Sequence, residues 1–470
     1  MSDNRVFGII GLGTMGRNLL LNMADHGFKV AGLDKDEKKV ALLMQEGAAF
    51  PVKGFSEVKD FVNSLKTPRA IMMLVPAGKI VDDVIQELSP LLSKDDLIID
   101  GGNSHFTDTN RRVEELKSKG LHFFGMGISG GEEGARKGPS MMPGGDPKAY
   151  EVVRPVFEAV AAKVNGEPCV TYIGPGASGH FVKMVHNGIE YGIMQLIAET
   201  YEFMKKGLNL PDEKVQETFK KWNEGRLQSF LIEITRDIFS FKEPGSAQLL
   251  LHDIKDEARS KGTGKWTSQV AMDLQTPLSV IDSAVSMRDL SKYKTLRTQV
   301  ASIYKNEAVK FQSSPEALIE SLEAALYFST IIAYAQGMHL LAQASKEYKY
   351  DLKMDRIALI WRGGCIIRST FLEDIYQAYK KDPALPHLLV DQSIQEKINS
   401  ILPATREVLS LAIQSGIAMP AFTSAISYFD SLKSERMPAN LIQAQRDYFG
   451  AHTYEKIGKE GVFHTQWFAK

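Results

Sequence analysis

Along the first third of the chain, short apolar, β-branched runs alternate with stretches whose apolar positions recur at helical spacing. The short runs read as buried strands and the longer stretches as amphipathic helices, so their alternation predicts βαβ units and a parallel sheet. Strands are expected at Val6 to Ile10, Phe28 to Leu33, Ala70 to Val75, Leu97 to Asp100, His122 to Gly125 and Val170 to Ile173. With helices on both faces, this is a Rossmann-like, doubly wound α/β domain over residues 1–178. After Gly174-Pro-Gly-Ala-Ser-Gly179 the strand signals nearly vanish. Long helical patterns cover Phe181 to Leu208, Asp212 to Phe239, Pro315 to Glu347 and Leu388 to Ser415, the last expected to break or kink at Pro403. They predict a large all-α domain over 179–436. From about Met437 no long apolar period remains, and residues 437–470 read as an extended C-terminal tail. Within the helical part, Trp222-x-x-Gly225 leading to Ser229-Phe-Leu231 is similar to Trp361-x-x-Gly364 leading to Ser369-Thr-Phe-Leu372. Either a helical unit is duplicated or two amphipathic helices match by chance.

A chain of 470 residues is too long for one ordinary core, which agrees with two or three domains. Hydrophobic residues make up 44% and charged residues 24%, and 56 Lys plus Arg against 57 Asp plus Glu leave no global field. Nucleic acid and anionic membrane are therefore not expected partners, while a local basic pocket for an acidic small molecule stays open. The two cysteines, Cys169 and Cys365, make neither a disulfide framework nor a metal spacing, which suits a reducing cytoplasm. With a strand-like run so close to Met1, no secretory leader is expected. Apolar runs are read as broken by charge before the length of about 20 that spans a bilayer, so a soluble protein is expected. No metal site is expected, because the ten histidines show no ligand spacing.

Gly11-Leu12-Gly13-Thr14-Met15-Gly16 follows the first strand and opens a helix. In such a loop one glycine makes the tight turn, one lets the backbone approach a pyrophosphate, and one lets helix pack on strand. The phosphates then meet unpaired N–H groups at the helix N-terminus. Asp34 ends the second strand at about the spacing of the acidic residue that accepts ribose hydroxyls, with Lys35 beside it. Its carboxylate favours NAD and would repel the extra phosphate of NADP; a turn aspartate facing water is the alternative.

From Phe181 to Ile197 the sequence is nearly apolar, yet Lys183, His186, Asn187, Glu190 and Tyr191 interrupt it on one helical face. A buried stripe carrying ionisable groups must line a cavity or pair internally, since unpaired burial costs several kcal/mol. Desolvation can lower a lysine until it serves as a base and raise a glutamate until it holds a proton to give.

Several long motifs resemble those of the 6-phosphogluconate dehydrogenase family, within the β-hydroxyacid dehydrogenase superfamily. They are Asp100-Gly-Gly-Asn-Ser104, Gly127-Ile-Ser-Gly-Gly-Glu-Glu-Gly-Ala135, Gly138-Pro-Ser-Met-Met-Pro-Gly-Gly145, Gly179 to Tyr191, Lys261-Gly-Thr-Gly-Lys-Trp-Thr267 and Gln445 to Tyr454. The similarity spans essentially the whole chain, whereas short hydroxyacid reductases of the superfamily stop after about one helical repeat. The resemblance implies oxidative decarboxylation of 6-phosphogluconate in the oxidative pentose phosphate pathway. It implies Lys183 as general base for the 3-hydroxyl and Glu190 as the acid that protonates the enediol. It further implies that Ser129, Gly130 and Gly131 hold the carboxylate end and that His186 and Asn187 also bind substrate. Asn103 bridges substrate and nicotinamide, and Val75 joins the cofactor site. Tyr191, Lys261, Thr263 and Arg288 grip the phosphate, where cationic forks and point charges are expected. Arg446 and His452 do so from the tail of a second subunit, so a tail-exchanged homodimer is implied.

One region departs from the family pattern. NADP-dependent members carry Asn-Arg-Thr or similar where this chain has Asp34-Lys35-Asp36, and many carry Lys where it has Pro76. The cofactor is thus NAD or NADP, with NADP the family default and Asp34 favouring NAD. A dehydrogenase for another 3-hydroxy acid and a non-catalytic dinucleotide sensor are the competing readings; both lose ground to the intact Lys183, Glu190 and phosphate grips, and a sensor has no reason to keep the acid/base pair and every substrate anchor. A plain helical scaffold fits least.

Overall fold

In the computed structural model, which describes residues 4–304, 311 and 313–468, seven strands form the N-terminal sheet. The outermost expected domain bounds, 1 and 470, lie outside the described residues. The strands are β1 (Phe7–Ile10), β2 (Val30–Leu33), β3 (Val52–Phe55), β4 (Ala70–Met73), β5 (Leu97–Asp100), β6 (His122–Ser129) and β7 (Ser140–Gly144). Between and after them run α1 (Thr14–Asp25), α2 (Glu37–Glu46), α3 (Val58–Asn63), α4 (Lys79–Leu88), α5 (Phe106–Lys117), α6 (Gly131–Lys137) and α7 (Pro147–Val160). The spatial order is β3-β2-β1-β4-β5-β6-β7, parallel except for β7, which pairs antiparallel with β6. Strand order reverses between β1 and β4, and the crevice beyond their carboxyl ends is where such sheets bind ligands. Alternate residues serve two cores. Phe7, Ile9, Met72 and Ile99 meet α1 and α7 on one face, while Ile10, Leu33, Ile71 and Ile98 meet α3, α4 and α5 on the other.

The sequence reading misses β3 and β7. β3 is a short edge strand of only Val-Lys-Gly-Phe, and β7 is Ser-Met-Met-Pro-Gly, without a β-branched residue. The expected strand Val170 to Ile173 is instead an extended segment bridged to β7 at Met141–Val170 and Gly144–Gly174.

The second half is helical, with α8 (Ser178–Glu202), α9 (Asp212–Trp222), α10 (Phe230–Ile238), α11 (Thr263–Asp273), α12 (Ser279–Ser291), α13 (Lys294–Ile303), α14 (Pro315–Glu347), α15 (Met354–Trp361), α16 (Phe371–Lys381), α17 (Gln392–Gln414) and α18 (Pro420–Leu432). The pattern read as one helix from Asp212 to Phe239 is two, because Ser229 caps α10 by accepting from the Ile232 N–H. α17 runs unbroken through Pro403, contrary to the expected break. Pro403 and the residues near Asn399 face solvent, where water can take up the carbonyl freed by the missing N–H. Residues 324–345 carry no Asp, Glu, Lys or Arg, so charge does not break every apolar run as expected. Their helix, α14, is long and apolar enough to cross a membrane by length and composition, but 72% of its most apolar window is buried in the protein's own core. The two similar motifs meet: Ser229 and Ser369 form an antiparallel bridge, the Phe230 N–H donates to the Arg368 carbonyl and the Thr370 N–H to the Gln228 carbonyl. A long helix followed by two short ones thus occurs twice, as α8–α10 and α14–α16, which favours duplication over chance.

The tail is not extended throughout. It folds as α19 (Ala439–Gly450) and, beyond two short strands after α7, β8 (Lys163–Val164) and β9 (Glu167–Pro168), a hairpin of β10 (Tyr454–Lys456) and β11 (Lys459–Phe463). Asp447, with no exposed surface, gathers the Thr453 and Thr465 N–H groups, the Trp467 indole and His464 around its carboxylate. Such long-range polar satisfaction leaves no periodicity in the sequence.

Candidate active site

The Gly11–Gly16 loop joins β1 to α1 at the strand-order reversal. A Cβ on Gly16 would overlap the Gly11 carbonyl oxygen, so only glycine lets α1 start this close to the loop. Gly13 faces open space, and α1 has no side-chain cap, which leaves the N–H groups of its first turn, at Thr14, Met15 and Gly16, for an anion. Val75 borders Gly11 from the β4–α4 loop.

Asp34 is not a solvated turn residue. Its Oδ2 accepts from the Leu12 N–H at 2.8 Å and its Oδ1 from the Asp36 N–H at 2.9 Å, with Lys39 Nζ 3.5 Å away and the side chain 12% exposed. It therefore pins the glycine loop and keeps lone pairs at the crevice mouth. Lys35 points away from that grip, 80% exposed and paired with Glu87 of α4 at 3.2 Å. The cradle, uncapped helix start and acidic residue fit a nicotinamide dinucleotide. Asn103 is exposed just past β5, in a loop held by buried Asp100, which accepts from the Gly102 N–H at 2.9 Å and the Ser104 hydroxyl at 2.5 Å.

α8 packs directly on β6. A Cβ on Gly127 would overlap the Lys183 stem, so glycine there lets the lysine lie against the strand. The expected stripe is brought together. His186, fully buried, has Lys183 Nζ 3.3 Å and Asn187 Oδ1 3.0 Å from Nδ1, with Glu190 Oε2 at 4.0 Å. Its Nε2 faces Cys365 Sγ at 2.8 Å and Ser129 Oγ at 3.2 Å. Burial lowers the pKa of Lys183, against the opposing pull of Glu190, while burial raises that of Glu190 against Lys183 and Arg288. Both groups are thus moved toward neutrality. Ser129 ends β6, and Gly130 and Gly131 follow with φ of +124° and +62°, a turn that glycine adopts without strain. The loop borders a cleft of about 450 Å³ shared with Gly364, Cys365 and Arg368.

A second group lies one turn further along α8. The Arg288 guanidinium of α12 stacks 3.6 Å from the centre of the Tyr191 ring, held by the Arg259 carbonyl at 3.1 Å. α11 starts at Thr263 beside the same ring, and a Cβ on Gly264 would overlap it. Lys261 precedes this helix start and is exposed. Tyr191, Thr263 and Arg288 therefore lie together at a helix N-terminus, with Lys261 two residues before it, a setting suited to a phosphate.

Arg446 and His452 are not brought to either group within the chain. Arg446 donates to Gln443 Oε1 at 3.1 Å and His452 packs edge-on against Phe449, both partners inside the tail. Cys365 is the residue the sequence reading passes over. It counts there only as an unpaired cysteine, although it stands in the same Trp361 to Leu372 motif that suggested a repeat.

The family model described as the NAD binding domain of 6-phosphogluconate dehydrogenase matches residues 6–174, and that described as the 6-phosphogluconate dehydrogenase C-terminal domain matches residues 179–467. The chain is 50% identical to the NADP(+)-dependent, decarboxylating 6-phosphogluconate dehydrogenase of Bacillus subtilis, covering 99% of this chain and 100% of that protein. It is 48% identical to the decarboxylating enzyme of Escherichia coli, again over 99% and 100%. Among solved structures, Plasmodium falciparum 6-phosphogluconate dehydrogenase, studied as apo form and with NADP+ or 6-phosphogluconate, superposes with a TM-score of 0.96 at 42% identity, covering 98% of this chain and 100% of that one.

Proposed function

The chain belongs to the 6-phosphogluconate dehydrogenase family, decarboxylating oxidoreductases that bind NAD(P), and from that premise we propose how its own residues oxidise and decarboxylate 6-phosphogluconate to ribulose 5-phosphate. The observation that carries the proposal is the Lys183–His186–Glu190 group, buried at Lys183 and His186 and partly exposed at Glu190, facing the Ser129 loop across β6 and α8. Bound nicotinamide dinucleotide supplies the hydride acceptor. Ser129, Gly130, Gly131 and Asn187 hold the carboxylate end, Asn103 orients the reacting carbon, and Tyr191, Lys261, Thr263 and Arg288 hold the phosphate.

Lys183, whose pKa is lowered by burial, takes the 3-hydroxyl proton as hydride leaves C3. The resulting 3-keto acid has a carboxylate β to a ketone. Lys183 returns its proton to the ketone oxygen, the C1–C2 bond breaks, carbon dioxide leaves and an enediol remains. Glu190, whose pKa is raised by burial, delivers a proton to the carbon that lost the carboxylate while Lys183 takes back the enol proton.

The proposed division assigns residues 1–178 to the dinucleotide, 179–436 to substrate and subunit contacts, and 437–470 to a tail exchanged between two subunits. The tail's Leu441, Ile442, Phe449 and Phe468, each more than half exposed, support a second copy as their cover, an arrangement in which Arg446 and His452 would reach its phosphate site. Two free, buried cysteines support a reducing, cytoplasmic setting for the oxidative pentose phosphate pathway. The test is incubation of the purified protein with 6-phosphogluconate and either NAD or NADP, with assay of ribulose 5-phosphate and carbon dioxide. Dinucleotide binding without turnover, or oxidation of other 3-hydroxy acids alone, overturns the proposal.

A further inference from the structure

Cys365 has no step in the chemistry above, yet its thiol lies against the residue that neighbours the base. His186 is neutral, since burial and the adjacent Lys183 hold its pKa well below the usual value. A neutral imidazole carries one N–H and one lone pair, and its partners decide which nitrogen has which. On the Nδ1 side the nearer partner is the Asn187 carbonyl oxygen, which can only accept. On the Nε2 side, Ser129 Oγ already accepts from the Ile366 N–H at 3.3 Å, so its own proton is left for the ring or for the Cys365 sulfur beside it. The Cys365 thiol, pushed up to about 12 by burial, keeps its proton at neutral pH. The Cys365 thiol thus donates to Nε2, with the Ser129 hydroxyl supporting it directly or through the sulfur, and an acceptor faces Nδ1.

We propose that Cys365 is a positioning residue that, with Ser129, fixes His186 as the Nδ1–H tautomer, so that Lys183 finds no acceptor on the ring and keeps its lone pair for the substrate hydroxyl. The opposite tautomer would set a lone pair against the Asn187 oxygen and offer the Lys183 ammonium an acceptor at 3.3 Å, favouring the charged lysine. The other groups around the ring do not reverse this. Glu190 lies on the same helix with Arg288 of α12 facing it, Trp361 of α15 presents its ring edge-on at 5.6 Å, and β6 contributes only Ser129.

The inference rests on Lys183 as the base, but its first readout does not. Nitrogen-15 NMR of histidine-labelled protein, with the His186 signal assigned by its loss in His186→Asn, reports the tautomer directly. The expected wild-type signal is a protonated Nδ1 and an unprotonated Nε2; a protonated Nε2 overturns the proposal whatever any variant does. Cys365→Ala is expected to populate the Nε2–H form and to move the acid limb of kcat/KM up by about one pH unit, about tenfold in activity below it. Cys365→Ser, which keeps a donor, is expected to restore both, with the dinucleotide Kd unchanged throughout. A Cys365→Ala protein that retains the Nδ1–H tautomer and the wild-type limb refutes the role of the thiol. If Lys183→Met instead leaves turnover intact, the base assignment fails while the tautomer result stands.

Discussion

Cofactor choice is the point at which the family default and this chain's own residues disagree, and Asp34 gives the disagreement a size. Its carboxylate is fixed by the Leu12 and Asp36 N–H groups, at the end of β2 where a ribose hydroxyl or a 2′-phosphate would lie. Two like charges about 4 Å apart cost about 1 kcal/mol in water and about 4 kcal/mol at the effective dielectric of about 20 found near protein surfaces. A 2′-phosphate carries close to two negative charges, which strengthens the repulsion. Lys35 offsets little of it, because it is 80% exposed and already paired with Glu87, and exposed pairs are worth about 0 to 1 kcal/mol. The balance, about 1.4 to 3 kcal/mol, predicts that kcat/KM favours NAD by about ten- to a hundredfold. Asp34→Asn with Lys35→Arg removes the negative charge while the asparagine oxygen can still accept from Leu12. The arginine adds a fork that a lysine lacks. The double variant should shift the preference toward NADP by about tenfold or more, measured as the ratio of kcat/KM values at fixed ionic strength. A wild-type preference for NADP would refute this reasoning, since Asp34 would then have to tolerate a phosphate at the ribose.

Lys183→Met should lower turnover by about two to four orders of magnitude with dinucleotide binding near normal; retention of roughly a third of wild-type turnover would end the assignment. Because burial lowers the pKa of Lys183 and raises that of Glu190, kcat/KM should rise with pH as the lysine loses its proton and fall as the glutamate does. Glu190→Gln should abolish the alkaline limb and give a burst of reduced dinucleotide before a slow steady state, whereas equal loss in direct hydride transfer would make Glu190 an organiser only. Deleting residues beyond Met437 should raise the KM for 6-phosphogluconate sharply and weaken the proposed dimer, and Asp447→Ala, which removes the acceptor shared by four donors, should do the same more mildly; a monomer with ordinary kinetics would show the tail dispensable.

The fold was legible wherever one local rule decided an element. Strands buried on both faces wrote continuous apolar runs, and Pro315 to Glu347 matches its helix end to end. Where a second term competed, the reading slipped. β7 forms because β6 supplies an antiparallel partner, not because Met-Met-Pro favours a strand. α17 continues past Pro403 because the rest of a 23-residue helix is packed and the proline sits on its wet face. α14 is long and apolar enough to cross a membrane because a helix buried at the centre of a large core and a bilayer span both shed charge.

The site divides along the same line. The polar stripe on α8 could be read because its five members lie within a few residues of one another and helical spacing alone puts them on one face. What surrounds them could not be, because β6 and the loop after α15 reach His186 from 57 and 179 residues away. No local pattern encodes contacts at such separations. Chemically the two parts depend on each other. A lysine buried beside an imidazole is a base only if the imidazole does not accept its proton, and the groups that decide this, Ser129 and Cys365, come from outside the helix. The glycine at 127 ties the parts together. It brings β6 close enough for the Lys183 stem to lie on the strand that ends in Ser129, so Gly127→Ala should force α8 away from β6. Such a variant should lose kcat while its dinucleotide Kd, set by the distant Gly11–Gly16 loop, stays near wild type. Unchanged kcat with an altered dinucleotide Kd would mean that the close approach at Gly127 serves the sheet and not the base.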